Sequence, residues 1–496
     1  MKRYKNYLIP FLLVTLLPVV SLAQHRGDNL AFQGFFHQTE PGVKALAMGG
    51  AYTAATGDVA SIFYNPAGLS DLQSLSFSVT ANSHSQLWRE NQDYRPNRIF
   101  WTMAFYLEGL YVPDPANNGQ DDYLLAQDTN YVVQVPETGL EPYSEEAADW
   151  QKQLDKIGLN NIALAYPLTF ADQKFVISAA YRYNRILDFD RNDTYLDPHI
   201  GYDLYGPMPR VVTGSDTFSW SRFTRDREGD MTSVIGAVAY EVSEKVKVGL
   251  GVSVLSGSSD DYQALERVGV FEIEANNVFR FSYDTVNTYI AGKSDFNTTQ
   301  INLGAIYKFD RVSIGMNIKL PYTMIRKWDY NNTFTDSVGT ISSAASGEDK
   351  TEFPAGFDVG VRLTPIDWFT FAVDYQFTPY SKTKFKYNWQ NDTQRDWVDQ
   401  HILKFGAEFR TFDFLTLMAG YRDIPATFVP DGAAITESGP AATGYTFGAS
   451  LLLSQFGRLD VAYEYRRLRY YDSYHSNTNY VTESLNVLAI AYSYSL

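Results

Sequence analysis

Alternating apolar and polar residues constrain the fold of this chain most strongly. Within 246–254, Val248, Leu250 and Val252 alternate with lysine, glycine and serine, so one face is hydrocarbon and the other is small or polar. After the first 23 residues, no stretch approaches the roughly 18 uninterrupted apolar residues that a spanning helix needs. Any membrane crossing must therefore be made by strands, which requires a closed barrel. The same period of two recurs in three further segments, 357–363, 369–377 and 459–466.

An export signal indicates on which side of the sheet the apolar face lies. Three basic residues within the first five are followed by an apolar run over 8–20 and a small-x-small site, Ser21-Leu22-Ala23. Residues 1–23 are therefore predicted to be a signal peptide. Export favours an outer-membrane barrel with its apolar face toward lipid and its polar face toward the lumen.

Composition excludes several classes of function. The formal net charge is −16, which argues against a nucleic-acid partner. The chain has no cysteine, which excludes disulfides, thiolate metal sites, cysteine catalysis and an N-terminal lipid anchor. The six histidines are scattered without metal-ligand spacing, so we expect no metal, no cofactor and no enzymatic activity.

Connections of alternating length predict the strand count. Tight turns near 171–172, 243–244, 310, 365–366, 412 and 455–457 alternate with longer connections, as in barrels with short periplasmic turns and long extracellular loops. Counting back from a last descending strand at Val481–Leu496 gives 14 strands if Leu75–Asn82 is the first; 16 remains open. The long loops are predicted at 190–228, 259–295, 327–350, 381–397, 423–440 and 472–480.

Two segments before residue 160 are not assigned to any of these 14 strands. Ile99–Val112 is strand-like and aromatic, and is left over as an extension above the membrane or a cover for the barrel mouth. In Ser144–Ile157, apolar residues fall at helical spacing, which predicts a short amphipathic helix on an external loop.

A Gly/Ala-rich segment near the N-terminus resembles a known family. Gly42-Val-Lys-Ala-Leu-Ala-Met-Gly-Gly-Ala51 is followed by Tyr64-Asn-Pro-Ala-Gly-Leu69, a pattern similar to that of the FadL/TodX outer-membrane transport proteins. The resemblance implies a 14-stranded barrel whose N-terminal hatch, here 24–72, lies inside a barrel formed by 73–496. The resemblance further implies a hatch motif at Asn65, Pro66, Ala67 and Gly68.

Charged residues on the polar strand faces are predicted to lie in the lumen. Isolated charges in a narrow lumen would be costly, so they are expected to pair across neighbouring strands and brace the wall. A water path along them is the alternative. The predicted lumen charges are Asp374, Lys404, Glu408, Arg410, Asp460, Glu464 and Arg466.

The resemblance implies passive transport of hydrophobic small molecules, such as long-chain fatty acids, by a monomer in contact with outer-membrane lipids. PorV-like proteins of secretion systems are similar to the same family and bind protein cargo, which gives an alternative function. An elongated apolar cavity in the lumen would favour transport, whereas a filled lumen would favour protein binding.

Overall fold

The computed structural model describes residues 39–92, 141–145, 148–170, 173–197, 216–273, 279–386, 397–430, 439–473 and 478–496. The predicted signal peptide and the predicted strand Ile99–Val112 lie outside these ranges. None of the helices in the described ranges is long and apolar enough to cross a membrane.

Seventeen strand segments form one antiparallel sheet that closes on itself, because β1 pairs with both β2 and β17. The segments are β1 Ser76–Gln92, β2 Trp150–Phe170, β3 Gln173–Asp197, β4 Asp216–Glu241, β5 Val246–Ile273, β6 Phe279–Phe309, β7 Val312–Lys319, β8 Tyr322–Thr335, β9 Thr340–Phe353, β10 Gly356–Ile366, β11 Phe369–Thr378, β12 Lys384–Lys386, β13 Gln400–Phe412, β14 Leu415–Pro425, β15 Ala441–Leu452, β16 Arg458–Ser473 and β17 Thr478–Ser495.

Three consecutive barrel strands are each interrupted beside a proline. β7 and β8 are separated at Pro321, β9 and β10 at Pro354, and β11 and β12 after Pro379. Each pair continues along the same neighbours; β6, for example, pairs with β7 and then with β8. The seventeen segments therefore make fourteen barrel strands, which confirms the predicted all-β, 14-stranded antiparallel barrel.

The side-chain faces follow the sequence alternation. Leu250 is 40% exposed on the outer surface, whereas Lys247 and Gly251 on the opposite face are buried. Leu303, Ile314 and Phe371 likewise point outward. The outer wall therefore carries an apolar belt suited to lipid, and the inner wall carries small and polar residues.

Two of the predicted long loops are largely strand. β3 and β4 occupy most of 190–228, and β5 and β6 pair from Val246↔Tyr307 up to Ile273↔Phe279 across 259–295. The region 327–350 is a hairpin whose turn lies at 336–339. Polar and charged residues within these hairpins, such as those at 224–230 and 256–261, interrupt the apolar alternation that identifies a strand, although the backbone ladder continues.

The predicted helix at Ser144–Ile157 is wrong where the structure describes its second half. β2 begins at Trp150, which pairs with Glu90 of β1. Trp150 and Leu154, four residues apart, lie on one face of a helix but equally on one face of a strand. The spacing alone could not distinguish the two structures.

The lumen contains the segment Thr39–Leu72, named here the hatch segment. It forms helix α1, Val43–Ala47, and two 3₁₀ helices, Val59–Phe63 and Pro66–Asp71. Its apolar side chains share buried clusters with inward-facing residues of the wall, such as Leu46 with Met418 and Leu69 with Ala163. A short Gly/Ala-rich segment can fill this space because it needs little width.

Candidate functional site

Asn65 fixes the hatch segment to the wall. Its extended backbone precedes Pro66, and its Oδ1 accepts a hydrogen bond from the Ala67 N–H at 3.1 Å, which caps the second 3₁₀ helix. Its Nδ2 donates to the Thr53 carbonyl at 2.8 Å and lies 3.2 and 3.3 Å from the carbonyls of Ala305 and Met316 in the wall. The side chain is fully buried. One residue therefore joins two parts of the hatch segment to β6 and β7.

Pro66, Ala67 and Gly68, the other motif residues, are closely packed. Pro66 and Ala67 lie directly against Gly249 of β5, where an added Cβ would collide with their backbone. Gly68 has no room for a Cβ because the Ala55 carbonyl and the Ser61 side chain touch it. Asn65, Pro66 and Ala67 therefore lie at the interface with the wall, whereas Gly68 packs against other parts of the hatch segment.

Glycines on the inner wall make room for the hatch segment elsewhere. A Cβ at Gly304 would meet the Asn65 side chain, and a Cβ at Gly315 would meet the Thr53 carbonyl. Gly406 and Gly420 contact Met48 and Gly49 in the same way. These positions were not predicted, although glycine on the lumen face of consecutive strands is a sequence signal that could have revealed them.

A cluster of charges surrounds Glu40 at the start of the hatch segment. Its carboxylate accepts hydrogen bonds from Arg422 Nη1 at 2.5 Å, Lys404 Nζ at 3.3 Å and the Tyr64 hydroxyl at 2.9 Å. Arg422 also bonds to Glu464 across β15, where Gly444 leaves space between them. Burial opposes ionisation of Glu40, but Lys404 and Arg422 outweigh it and lower the pKa of its carboxyl to about 2.

Three further ion-pair groups join the hatch segment to the wall. Lys44 lies 3.7 Å from Glu408, which also bonds to Arg362. Asp58 pairs with Arg458 at 3.0 Å, and Asp71 pairs with Lys247 and Lys308. Burial again opposes ionisation of Asp58, but Arg458 and Lys44 lower its pKa to about 2. Each charged group in these contacts has an opposite charge within reach, which buried charges require.

The predicted lumen charges are mostly buried inside the barrel, but they contact the hatch segment more than one another. Asp374 accepts the backbone N–H groups of Tyr52 and Thr53 at 2.8 and 2.7 Å. Asp460 bonds to Arg458, which holds Asp58, and Arg466 is buried beside the Glu464 group. Arg410 is the exception, because it is exposed next to the turn between β13 and β14.

Four further charged residues complete these groups. Glu40, Arg182, Arg422 and Arg458 were not predicted, although the last two lie on lumen faces of alternating strands. Glu40 has no periodic signal because it lies outside the strands. Its role depends on contacts with residues more than 300 positions away.

A cavity of about 360 Å³ lies on the extracellular side of the hatch segment. Its wall includes Met231, Leu255, Met324 and Phe353, which belong to one buried apolar cluster. Its floor includes the cationic side chains Arg182, Lys404, Arg422 and Arg466 together with the carboxylates Glu40 and Asp374. The cavity is therefore amphipathic, with hydrocarbon on one side and a charged floor on the other.

Known proteins share this architecture. A crystal structure of a Pseudomonas aeruginosa FadL homologue is similar with a TM-score of 0.59 at 13% identity, covering 92% of this chain and 98% of that chain. The Pseudomonas putida toluene transporter TodX gives 0.56 at 11% identity, with 92% and 98% covered. The CymD monoaromatic hydrocarbon channel gives 0.54 at 14% identity, with 92% and 97% covered.

Sequence comparison assigns the family. No curated protein sequence matches the chain significantly. The family model of outer membrane protein transport proteins, OMPP1/FadL/TodX, matches residues 200–489, which is more than half of the chain. The chain is therefore an outer-membrane β-barrel that belongs to the OMPP1/FadL/TodX family of transporters of hydrophobic compounds.

Proposed function

We propose that the protein passively carries hydrophobic small molecules with an anionic head group, such as long-chain fatty acids, across the outer membrane. The amphipathic cavity above the hatch segment supports this proposal most directly. Its apolar wall suits an acyl chain, and its cationic floor suits a carboxylate. Some structurally similar proteins carry toluene or monoaromatic hydrocarbons, but a neutral hydrocarbon would leave the buried Nε of Arg182 in the cavity lining without a hydrogen-bond partner.

Arg182 is the best-placed side chain for the head group. Its Nη2 donates to the Thr39 carbonyl at 2.8 Å, while its buried Nε has no hydrogen-bond partner. Two residues along β3, the buried Asn184 also lines the cavity. A ligand carboxylate reaching Arg182 would satisfy the unpaired donor, which otherwise carries a desolvation cost.

The same cavity favours transport over the PorV-like alternative of protein-cargo binding. A protein-binding barrel would be expected to have a filled lumen and an apolar loop surface. Here the lumen above the hatch segment holds open space beside an apolar wall. Transport therefore remains the better-supported function.

Ligand release sideways into the membrane is the route that the wall supports best. β2 and β3 pair only between Asn161–Phe170 and Gln173–Arg182, although both strands continue above this region. There, Arg185 donates to the Lys156 carbonyl, and Lys152 and Lys156 pair with Asp226 and Glu228. Side chains rather than a backbone ladder close this seam, and Arg182 at its lower end lines the cavity.

Binding and uptake of labelled laurate test the proposed function. Met324→Glu places a carboxylate in the apolar wall and should reduce laurate uptake by cells at least tenfold, because a buried charge opposes the acyl chain. Met324→Leu keeps the volume and the apolar character, so it should preserve uptake. Equal uptake by both variants would show that the ligand does not pass through this cavity.

Charge reversal tests the release route. Lys156→Glu would face Glu228 and should speed the transfer of bound laurate to the bilayer, because the seam would be held by repelling side chains. Lys174→Glu reverses a comparable pair with Glu241 at the opposite end of the barrel and serves as the control. An unchanged transfer rate in Lys156→Glu would argue for release toward the periplasm.

A further inference from the structure

A hatch carboxylate already occupies the cationic floor of the cavity. Glu40 lines the cavity and bonds to Lys404 and Arg422, with Arg182 close enough to act on its charge. The other hatch carboxylates differ, because Asp58 and Asp71 bind their cations away from the cavity lining. Glu40 is thus the hatch carboxylate that a ligand in the cavity would meet.

The charge balance restricts what can replace Glu40. Removing one partner from a buried ion-pair group leaves an uncompensated charge, which is strongly unfavourable. If Glu40 alone left the floor, Lys404 would lose a carboxylate and Arg422 would retain only Glu464. If a ligand carboxylate entered as Glu40 left, the number of carboxylates around the cations would stay the same. The exchange therefore avoids the cost of stranding them.

We propose that Glu40 is an internal stand-in for the ligand head group, displaced by a ligand carboxylate so that the start of the hatch segment is released. This inference rests on the proposed transport of anionic amphiphiles and adds a rule for opening. A neutral amphiphile can fill the apolar part of the cavity but cannot take over the cations. It binds without releasing the hatch segment.

Displacement of Glu40 would loosen more than one contact. Tyr64 donates to Glu40 at 2.9 Å and lies 2.6 Å from the Pro41 carbonyl, so it ties the first residues of the hatch segment to the first 3₁₀ helix. Thr39 is held by Asn160 and Arg182. A ligand carboxylate at Arg182 would therefore affect the contacts of both Thr39 and Glu40. Ligand binding can shift the hatch segment only if its docked and released states differ in their contacts with the ligand, and these contacts supply that difference.

The affinity test compares laurate with dodecanol, its neutral analogue, on the full chain in lipid nanodiscs. Glu40→Gln removes the internal competitor and should tighten laurate binding about tenfold while leaving dodecanol binding within about twofold. Glu40→Asp keeps the charge and should bind laurate close to the wild-type affinity. Glu408→Gln also removes a hatch ion pair but changes no cavity charge, so it should give no gain for laurate.

The release test uses the absence of cysteine in the chain. Ser61 is fully buried in the hatch segment, so Ser61→Cys should react slowly with a membrane-impermeant maleimide. Laurate should accelerate the labelling at least fivefold and dodecanol should not. In Ser61→Cys/Glu40→Gln, labelling should be fast without ligand.

The outcomes separate this inference from the proposed function. If the wild type binds no laurate, the transport of anionic amphiphiles and the stand-in role both fail. If laurate binds but neither tightens in Glu40→Gln nor accelerates labelling more than dodecanol does, the stand-in role alone is overturned. Acceleration by laurate alone, with a gain in affinity specific to Glu40→Gln, supports it.

Discussion

Below the cavity, the inner wall meets the hatch segment through glycines, backbone hydrogen bonds and ion pairs, whereas around the cavity the wall presents aliphatic and aromatic side chains. Gly304 and Gly420 leave room for backbone to approach backbone in the lower half. Phe353 and Met324 in the upper half leave an open space instead. The lower half therefore specifies one geometry, and the upper half offers an adaptable apolar surface. Close contacts with directional bonds suit a plug, and apolar side chains suit a variable ligand.

The largest expected difference between the halves follows from removing the hatch. Deleting residues 42–69 should leave a barrel that inserts into membranes, because the closed ladder from Ser76 to Ser495 does not depend on them. The variant should conduct ions strongly in planar bilayers, since the wall alone would enclose an open lumen. Heat-modifiable migration on a gel would check that the barrel is folded. A folded variant that conducts no more than the wild type would show that the hatch segment is not the plug.

The next largest effect should come from filling one wall glycine. Gly304→Val adds a side chain where the Asn65 Oδ1 now lies, so the hatch segment cannot dock as it does in the wild type. We expect a folded barrel with a leak conductance well above that of the wild type. Gly236→Val is the matched control, because a Cβ there meets nothing within 4 Å. A leak of equal size in both variants would attribute the effect to valine in the wall rather than to the hatch contact.

The same division explains what the sequence could reveal. The outward face at Leu250 and the inward face at Asp374 were predicted correctly. A two-residue period within a single strand is enough to assign each side chain to one face of the sheet. The hairpins above the belt were predicted as loops, because polar and charged residues, such as those at 224–230 and 256–261, interrupt the apolar alternation there.

The partners of the lumen charges needed contacts that no local pattern contains. Asp374 was expected to pair across strands but binds the backbone of Tyr52 and Thr53, more than 300 residues away. Arg410 shares the lumen face of β13 with Lys404, yet it lies at the exposed end of that strand. Alternation assigns a side chain to a face, but its height in the barrel and its partner depend on the closed structure.

A smaller effect is expected from the Asn65 side chain. Asn65→Ala removes the donor shared by Thr53, Ala305 and Met316 and should weaken hatch docking by about 1 to 3 kcal/mol. The leak should be intermediate between those of the wild type and Gly304→Val. Ser70→Ala is the control, since Ser70 is equally buried but bonds only to Ala67 within the hatch segment. A leak in Ser70→Ala as large as that in Asn65→Ala would mean that contacts inside the hatch, not contacts with the wall, set its position.

The smallest expected difference is the response to pH, which should appear in the lower half alone. The pKa of Glu40 is lowered from 4.5 to about 2 and that of Asp58 from 3.8 to about 2, so the docked state favours their ionised forms. Their contribution to docking is complete above the undocked pKa values and is lost as the pH falls toward 2. The leak should therefore stay low from pH 7 to about 5 and rise below about 4. Glu40→Gln/Asp58→Asn should already leak at pH 7 and respond less to acid, while dodecanol binding in the apolar upper half should not follow this profile. A wild-type leak that rises between pH 7 and 5 would contradict the assignment of docking to these two carboxylates.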